Sequence, residues 1–219
     1  MNSLGEYCSF CERPLPDESF VWHKGQRTTV TGPSPYSEWP KILLACRNCA
    51  ESATANGDVD GIRLLYPDDP PWYSPISLPP FTYELKEVTI VEVDAQGSSL
   101  TSRRASQVVI EGQTEEAMQT VLYFKLNTPY YDRQSETIRI PRAELLAQND
   151  VRLEKRTSVY HSAVELSVQL EKHPDLRKYA VGVARQLISS SGFWSVWVTA
   201  LWQHTRDLEL LRELLLRIR

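Results

Sequence analysis

The chain has 219 residues, 42% of them hydrophobic and 24% charged, with a formal net charge of −4. That is the profile of an ordinary globular chain of one domain with an appendage, or two small ones; it excludes collagen-like and low-complexity polymers, and no apolar run is long enough to span a bilayer. Lys and Arg number 6 against 10 Asp and Glu in residues 1–80, 7 against 11 in 81–150 and 11 against 7 in 151–219. The C-terminal part is therefore the better candidate for a charge contact with nucleic acid, although an excess of four is small beside domains that bind phosphate non-specifically, and a solvated helical surface accounts for it.

All four cysteines fall into two Cys-x-x-Cys knuckles, Cys8-Ser9-Phe10-Cys11 and Cys46-Arg47-Asn48-Cys49, with 34 residues between them. Two intervening residues let a tight turn aim both sulfurs at one ion, and the long separation lets two distant segments be pinned together. The spacing predicts a tetrahedral thiolate site for structural zinc with Cys8, Cys11, Cys46 and Cys49 as ligands. Two disulfides and a thioredoxin-like redox pair are the alternatives. The first ~20 residues carry no apolar leader stretch of the kind that directs secretion, which predicts a cytoplasmic chain whose thiols stay reduced, and no βαβ pattern surrounds either knuckle. Residues 1–66 are expected to form the zinc-stapled module.

Six prolines lie between Pro67 and Pro80, where neither a helix nor a central strand can run, so residues 67–80 read as a rigid connector. Residues 81–140 read as a mixed region. Within it the β-branched alternation of 83–93 predicts a strand, Gly97-Ser98-Ser99 a polar loop, and 107–111 a second strand. Residues 114–126 carry an N-cap signal at Thr114 with acidic residues behind it and read as a helix.

Residues 141–219 read as mostly helical. Trp194, Trp197, Leu201 and Trp202 recur at helical spacing after a break at Ser189-Ser190-Ser191-Gly192, and Leu208, Leu211, Leu214 and Leu215 continue an apolar face. Core packing or a helix–helix interface explains such a stripe, and docking on a protein partner through these helices is the favoured interaction. Stacking of single-stranded bases also uses exposed aromatics, but those sit more often on strands with basic residues interleaved. The fold class expected overall is α+β, with no membrane association.

With the knuckles placed, the segment joining them resembles the zinc-bearing HNH endonucleases of bacteria, closest to the HNH partner proteins of retron and Septu-type antiphage systems. Cys-x-x-Cys-Glu-Arg at the start, Phe20-Val21-Trp22-His23, and Pro35-Tyr36-Ser37-Glu38-Trp39-Pro40-Lys41-Ile42-Leu43-Leu44-Ala45-Cys46-Arg47-Asn48-Cys49 carry the likeness. It continues more faintly through Val109-Ile110-Glu111-Gly112-Gln113-Thr114, Ala117, Thr120-Val121, Leu126-Asn127 and Arg156, and is absent beyond about residue 170.

The resemblance implies a small ββα fold around one divalent ion, Mg²⁺ or Mn²⁺, where a histidine activates water, an asparagine orients the histidine, and a ligand on the helix helps hold the ion. Carried over by position, His23 matches the general base. Lys41 stands where the orienting asparagine is expected, Ala50 where an asparagine follows the second knuckle, and Trp22 where an acid precedes the histidine. A lysine cannot accept a hydrogen bond from an imidazole N–H, its charge disfavours a neighbouring cation, and alanine supplies no ligand. Asn48, Asp58 or Asp60 would have to compensate. The function expected is a catalytically impaired HNH-like zinc protein acting as a binding or assembly subunit of a prokaryotic defence system; the alternative is an active metal-dependent DNA endonuclease with His23 as base.

Overall fold

The computed structural model describes residues 7–15, 20–23, 42–56, 63–66, 80–147 and 150–215. Nearly all of the proline-rich connector, Lys41, Asp58 and Asp60 lie outside the described residues, as do the side chains of Trp22 and His23.

Near the N-terminus, β1 (Phe20–His23) and β2 (Ile42–Ala45) pair antiparallel, with Phe20 opposite Ala45 and His23 opposite Ile42. Cys46 follows β2 directly, and α1 (Arg47–Asn56) starts on the next residue. The element order is strand–strand–helix, with both strands between the two knuckles and the helix starting within the second.

A four-stranded sheet follows, in the spatial order β4 (residues 99–112), β3 (residues 81–93), β6 (residues 137–141) and β5 (residues 131–132). Strands β3 (Phe81–Val93) and β4 (Ser99–Gly112) form a long antiparallel hairpin. Strand β4 begins eight residues before the expected Gln107, within what reads as a polar loop. Its first half is exposed, so its side chains lack the apolar alternation that marks a half-buried strand. Pairing is carried instead by a tight turn: Asp94 Oδ1 accepts from the N–H groups of Gln96 (2.9 Å) and Ser98 (2.8 Å), and Gly97 takes the positive φ of 83°.

Helix α2 (Glu115–Tyr123) is capped at Thr114, whose hydroxyl accepts from Ala117 N–H at 3.2 Å. It stops three residues short of the expected end, because Phe124 leaves the helix and Lys125 takes φ 46°. Two short strands not anticipated from sequence, β5 (Tyr131–Asp132) and β6 (Thr137–Pro141), complete the sheet, β6 running parallel to β3.

From Arg142 the described residues are mostly helical: α3 (Arg142–Ala147), α4 (Arg152–Lys172), a 3₁₀ turn (Pro174–Leu176), α5 (Arg177–Ser191), α6 (Trp194–Thr205) and α7 (Leu208–Leu215). Among the described residues no helix is long and apolar enough to cross a membrane. Trp197, Leu201, Leu211 and Leu214 are buried in the protein's own interior, while Leu208 stays exposed. One hydrophobic cluster runs from Cys8 and Phe10 through Leu43, Phe81 and Phe124 to Trp197 and Leu214, and a smaller one gathers Val88, Val109, Ile138 and Leu153. The cysteines thus lie inside a core shared with the C-terminal helices.

Candidate metal centre

The first knuckle is a tight turn closed on itself. Cys8 N–H donates to Arg13 O and Glu12 N–H to Cys8 O, both at 2.9 Å, and Glu12 adopts a left-handed φ of 60°. Ser9 ties this turn to β2, its N–H donating to Leu44 O (2.7 Å) and its hydroxyl accepting from Leu44 N–H (3.2 Å). On the second knuckle Cys46 precedes α1 and Cys49 lies in its first turn, at the positive end of the helix dipole. Across the gap, Cys46 N–H donates to Cys8 Sγ at 3.3 Å and Arg13 Nη1 to Asn48 Oδ1 at 3.1 Å.

The result is four buried sulfurs all within 4.8 Å of one another. Cys11 and Cys46 Sγ are 3.7 Å apart, far beyond a disulfide bond, and all four cysteines are free. A tetrahedron built on Zn–S bonds of about 2.3 Å has edges of about 3.75 Å, so the cluster has the size and ligand chemistry for a zinc ion.

Protonation follows from the crowding. Burial pushes the Cys11 and Cys49 thiols well up, whereas hydrogen bonds from Cys11, Cys49 and Cys8 hold Cys46 far below the ordinary thiol value. For Cys8 burial acts upward and is outweighed by hydrogen bonds with Cys11 and Cys49, which leaves it lowered. Four sulfurs this close cannot all ionise on their own charge; a divalent cation makes that possible.

Around the sulfurs lies a shell of polar side chains from distant parts of the chain. Arg152, at the start of α4 and fully buried, donates Nη1–H to Cys49 Sγ (3.4 Å) and to Phe124 O (3.2 Å). Its other edge meets Asp150 bidentately, Nε to Oδ1 at 2.8 Å and Nη2 to Oδ2 at 2.7 Å. Burial raises the Asp150 carboxyl, but the Arg152 hydrogen bonds and charge overcome it and hold it below the usual carboxylate value. One turn along α4, the equally buried Arg156 donates to Leu126 O (2.6 Å) and to Asn127 Oδ1 (3.1 Å). Asn127 in turn accepts from Ile110 N–H (2.8 Å) and donates to Ile110 O (2.9 Å), closing the outer edge of β4 as a neighbouring strand would.

Glu12 reaches the other way. Its Oε2 accepts from the N–H (2.8 Å) and hydroxyl (2.7 Å) of Ser195 in the first turn of α6, and its carbonyl accepts Phe193 N–H at 2.8 Å. The Ser195 hydroxyl also meets Tyr83 Oη at 2.5 Å. The first knuckle is therefore held by α6 and the second by α4.

Compared with family models, curated proteins and solved structures, the chain finds no match.

Of the residues singled out from sequence, the four cysteines are brought together. The backbone of His23 ends β1, with its pairing partner Ile42 at the start of β2, and Ala50 is buried in α1. Asn48, one of the residues able to compensate for missing ligands, has its Oδ1 engaged by Arg13. Leu126, Asn127 and Arg156, noted only through the faint part of the resemblance, meet in one hydrogen-bonded group. Sequence reasoning missed Asp150, Arg152 and Glu12. Arg152 has one signal, that it stands one turn before Arg156 and so shares a helix face with it and with Val159 and Ala163; nothing local marks Asp150 or Glu12.

Proposed function

We propose that this chain is an HNH-nuclease-like zinc protein that has lost catalysis and serves as a binding or assembly subunit, within a prokaryotic defence system. The observation that carries the reading is the buried four-sulfur cluster at the base of a strand–strand–helix unit, β1, β2 and α1. Impairment is supported by Ala50, a buried methyl group at the helix position where the resemblance calls for an asparagine, and by Lys41, one residue before β2, where it calls for the histidine's orienting partner. The defence setting rests on the resemblance alone.

The test has two parts. Purified protein should contain about one zinc per chain, as expected of one set of four thiolates, and should leave plasmid and single-stranded DNA intact with Mg²⁺ or Mn²⁺, alone and with the products of adjacent genes. Cleavage that disappears on His23→Ala would replace this reading with that of an active endonuclease.

A further inference from the structure

We propose that Arg152, aimed by Asp150, is a positioning residue of the metal centre: its Nη1–H donates a hydrogen bond to the Cys49 thiolate, draws charge from that sulfur and holds it toward the ion. The inference rests on the zinc reading given above and goes beyond the four ligands.

The geometry argues for more than a buried ion pair. The Asp150 carboxylate takes the Nε and Nη2 edge of the guanidinium in two bonds of 2.8 and 2.7 Å, which completes the pair. Those two bonds fix the plane of the group and direct the remaining nitrogen, Nη1, at Cys49 Sγ, 3.4 Å away, with Phe124 O as its other acceptor at 3.2 Å. Arg152 has no exposed surface, so this edge has no water to turn to. A neutral thiol is a poor acceptor for a buried cationic donor, whereas a metal-bound thiolate is a good one. A tetrathiolate zinc centre carries two negative charges, and a charged donor on one sulfur lowers the cost of burying them. Asp150 plays toward Arg152 the role that a carboxylate plays toward a metal-bound histidine, fixing the orientation of a group that acts on the ion.

A bland alternative is that Arg152 only latches α4 to Phe124. The two readings separate in metal affinity and in the spectrum of the Co²⁺ form, whose thiolate-to-metal charge-transfer bands report electron density on sulfur. The variants are Arg152→Gln, Arg152→Lys and Asp150→Asn, each made in the full chain. Arg152→Gln is expected to bind zinc about 10–100-fold more weakly in competition with a chelator, the usual effect of losing such a partner, and to move the Co²⁺ bands to lower energy. Arg152→Lys keeps the charge but cannot span Asp150 and Cys49 together, and Asp150→Asn keeps the donor but loosens its aim; both should shift the bands less. If Arg152→Gln fails to fold, these two decide.

Variants that melt earlier yet keep wild-type zinc affinity and cobalt bands overturn the inference and leave Arg152 a latch. A wild-type protein that takes up neither Zn²⁺ nor Co²⁺ overturns the metal reading itself, and this inference with it.

Discussion

Phe10, inside the first knuckle, stacks on Phe124 at the end of α2, with ring centroids 3.8 Å apart and planes 21° from parallel. Both rings are buried, so the turn that carries Cys8 and Cys11 is anchored in the same interior as the sheet and the C-terminal helices. The four-sulfur cluster is thereby part of the main core.

Phe10→Ala should therefore act on the whole protein. Removing a ring of this kind from a core costs about 3–5 kcal/mol, and denaturant unfolding followed by both far-ultraviolet dichroism and tryptophan fluorescence should show the loss in one transition. A second, unshifted transition from α4–α7 would contradict the shared core.

Loss of metal should propagate in the same way. Cys46→Ser, or chelation of the wild type, is expected to release the ion and destabilise more than residues 1–66, because Glu12 holds Ser195 of α6 and Cys49 meets Arg152 of α4. Hydrogen exchange before and after chelation checks this: faster exchange in the first turns of α4 and α6 is the expected result, and faster exchange confined to the N-terminal module is the contrary one.

Gly192 couples the two regions through the backbone alone. It sits at φ 69°, ψ −149°, a region nearly reserved for glycine, and a Cβ there would lie 2.2 Å from Glu12 O. Gly192→Ala should cost about 3 kcal/mol or more from strain and clash together and should weaken zinc binding through the displaced knuckle. Thermal melting with a parallel zinc titration measures both.

Asn127→Ala should be costlier than an average polar substitution. It strands the N–H and C=O of Ile110 and removes an acceptor from Arg156, all buried, at about 1–3 kcal/mol for each group left unsatisfied. Equilibrium unfolding gives the total, and faster amide exchange at Ile110 would locate it.

The alkaline limit of stability has a named contributor. Burial, followed by the Glu12 charge, raises the Tyr83 phenol above its ordinary value of 10.0. A raised folded-state value means stability is intact below pH 10 and declines above it, as the unfolded chain loses a proton that the folded one keeps, at about 1.4 kcal/mol per pH unit for one such group. Tyr83→Phe should flatten the fall of melting temperature between pH 10 and 11.5. It will not abolish it, because Tyr130, Tyr131 and Tyr160 are raised by burial as well.

How much of this was legible beforehand follows the range of the interactions. The ligand set was readable because a Cys-x-x-Cys turn is local and four cysteines leave no remainder. The strand at 83–93, the cap at Thr114 and the helical C-terminal part were readable for the same reason: alternation, a side-chain cap and 3.6-residue periodicity are written within a dozen residues. The first half of β4 was not, since strands whose side chains face water leave no hydrophobic pattern, and β6 was missed because five residues are too few to show one.

By itself, then, the sequence determined which four side chains come together in the cluster and where the principal strand and helices lie. Only the tertiary structure decided what surrounds the sulfurs. Arg152 stands 103 positions from Cys49 and Ser195 stands 183 from Glu12, and no local rule selects one arginine or one serine among many. Their meeting is set by the burial of α4 and α6 against the sheet and the knuckles, where a buried charge must find its acceptor and each backbone group its partner.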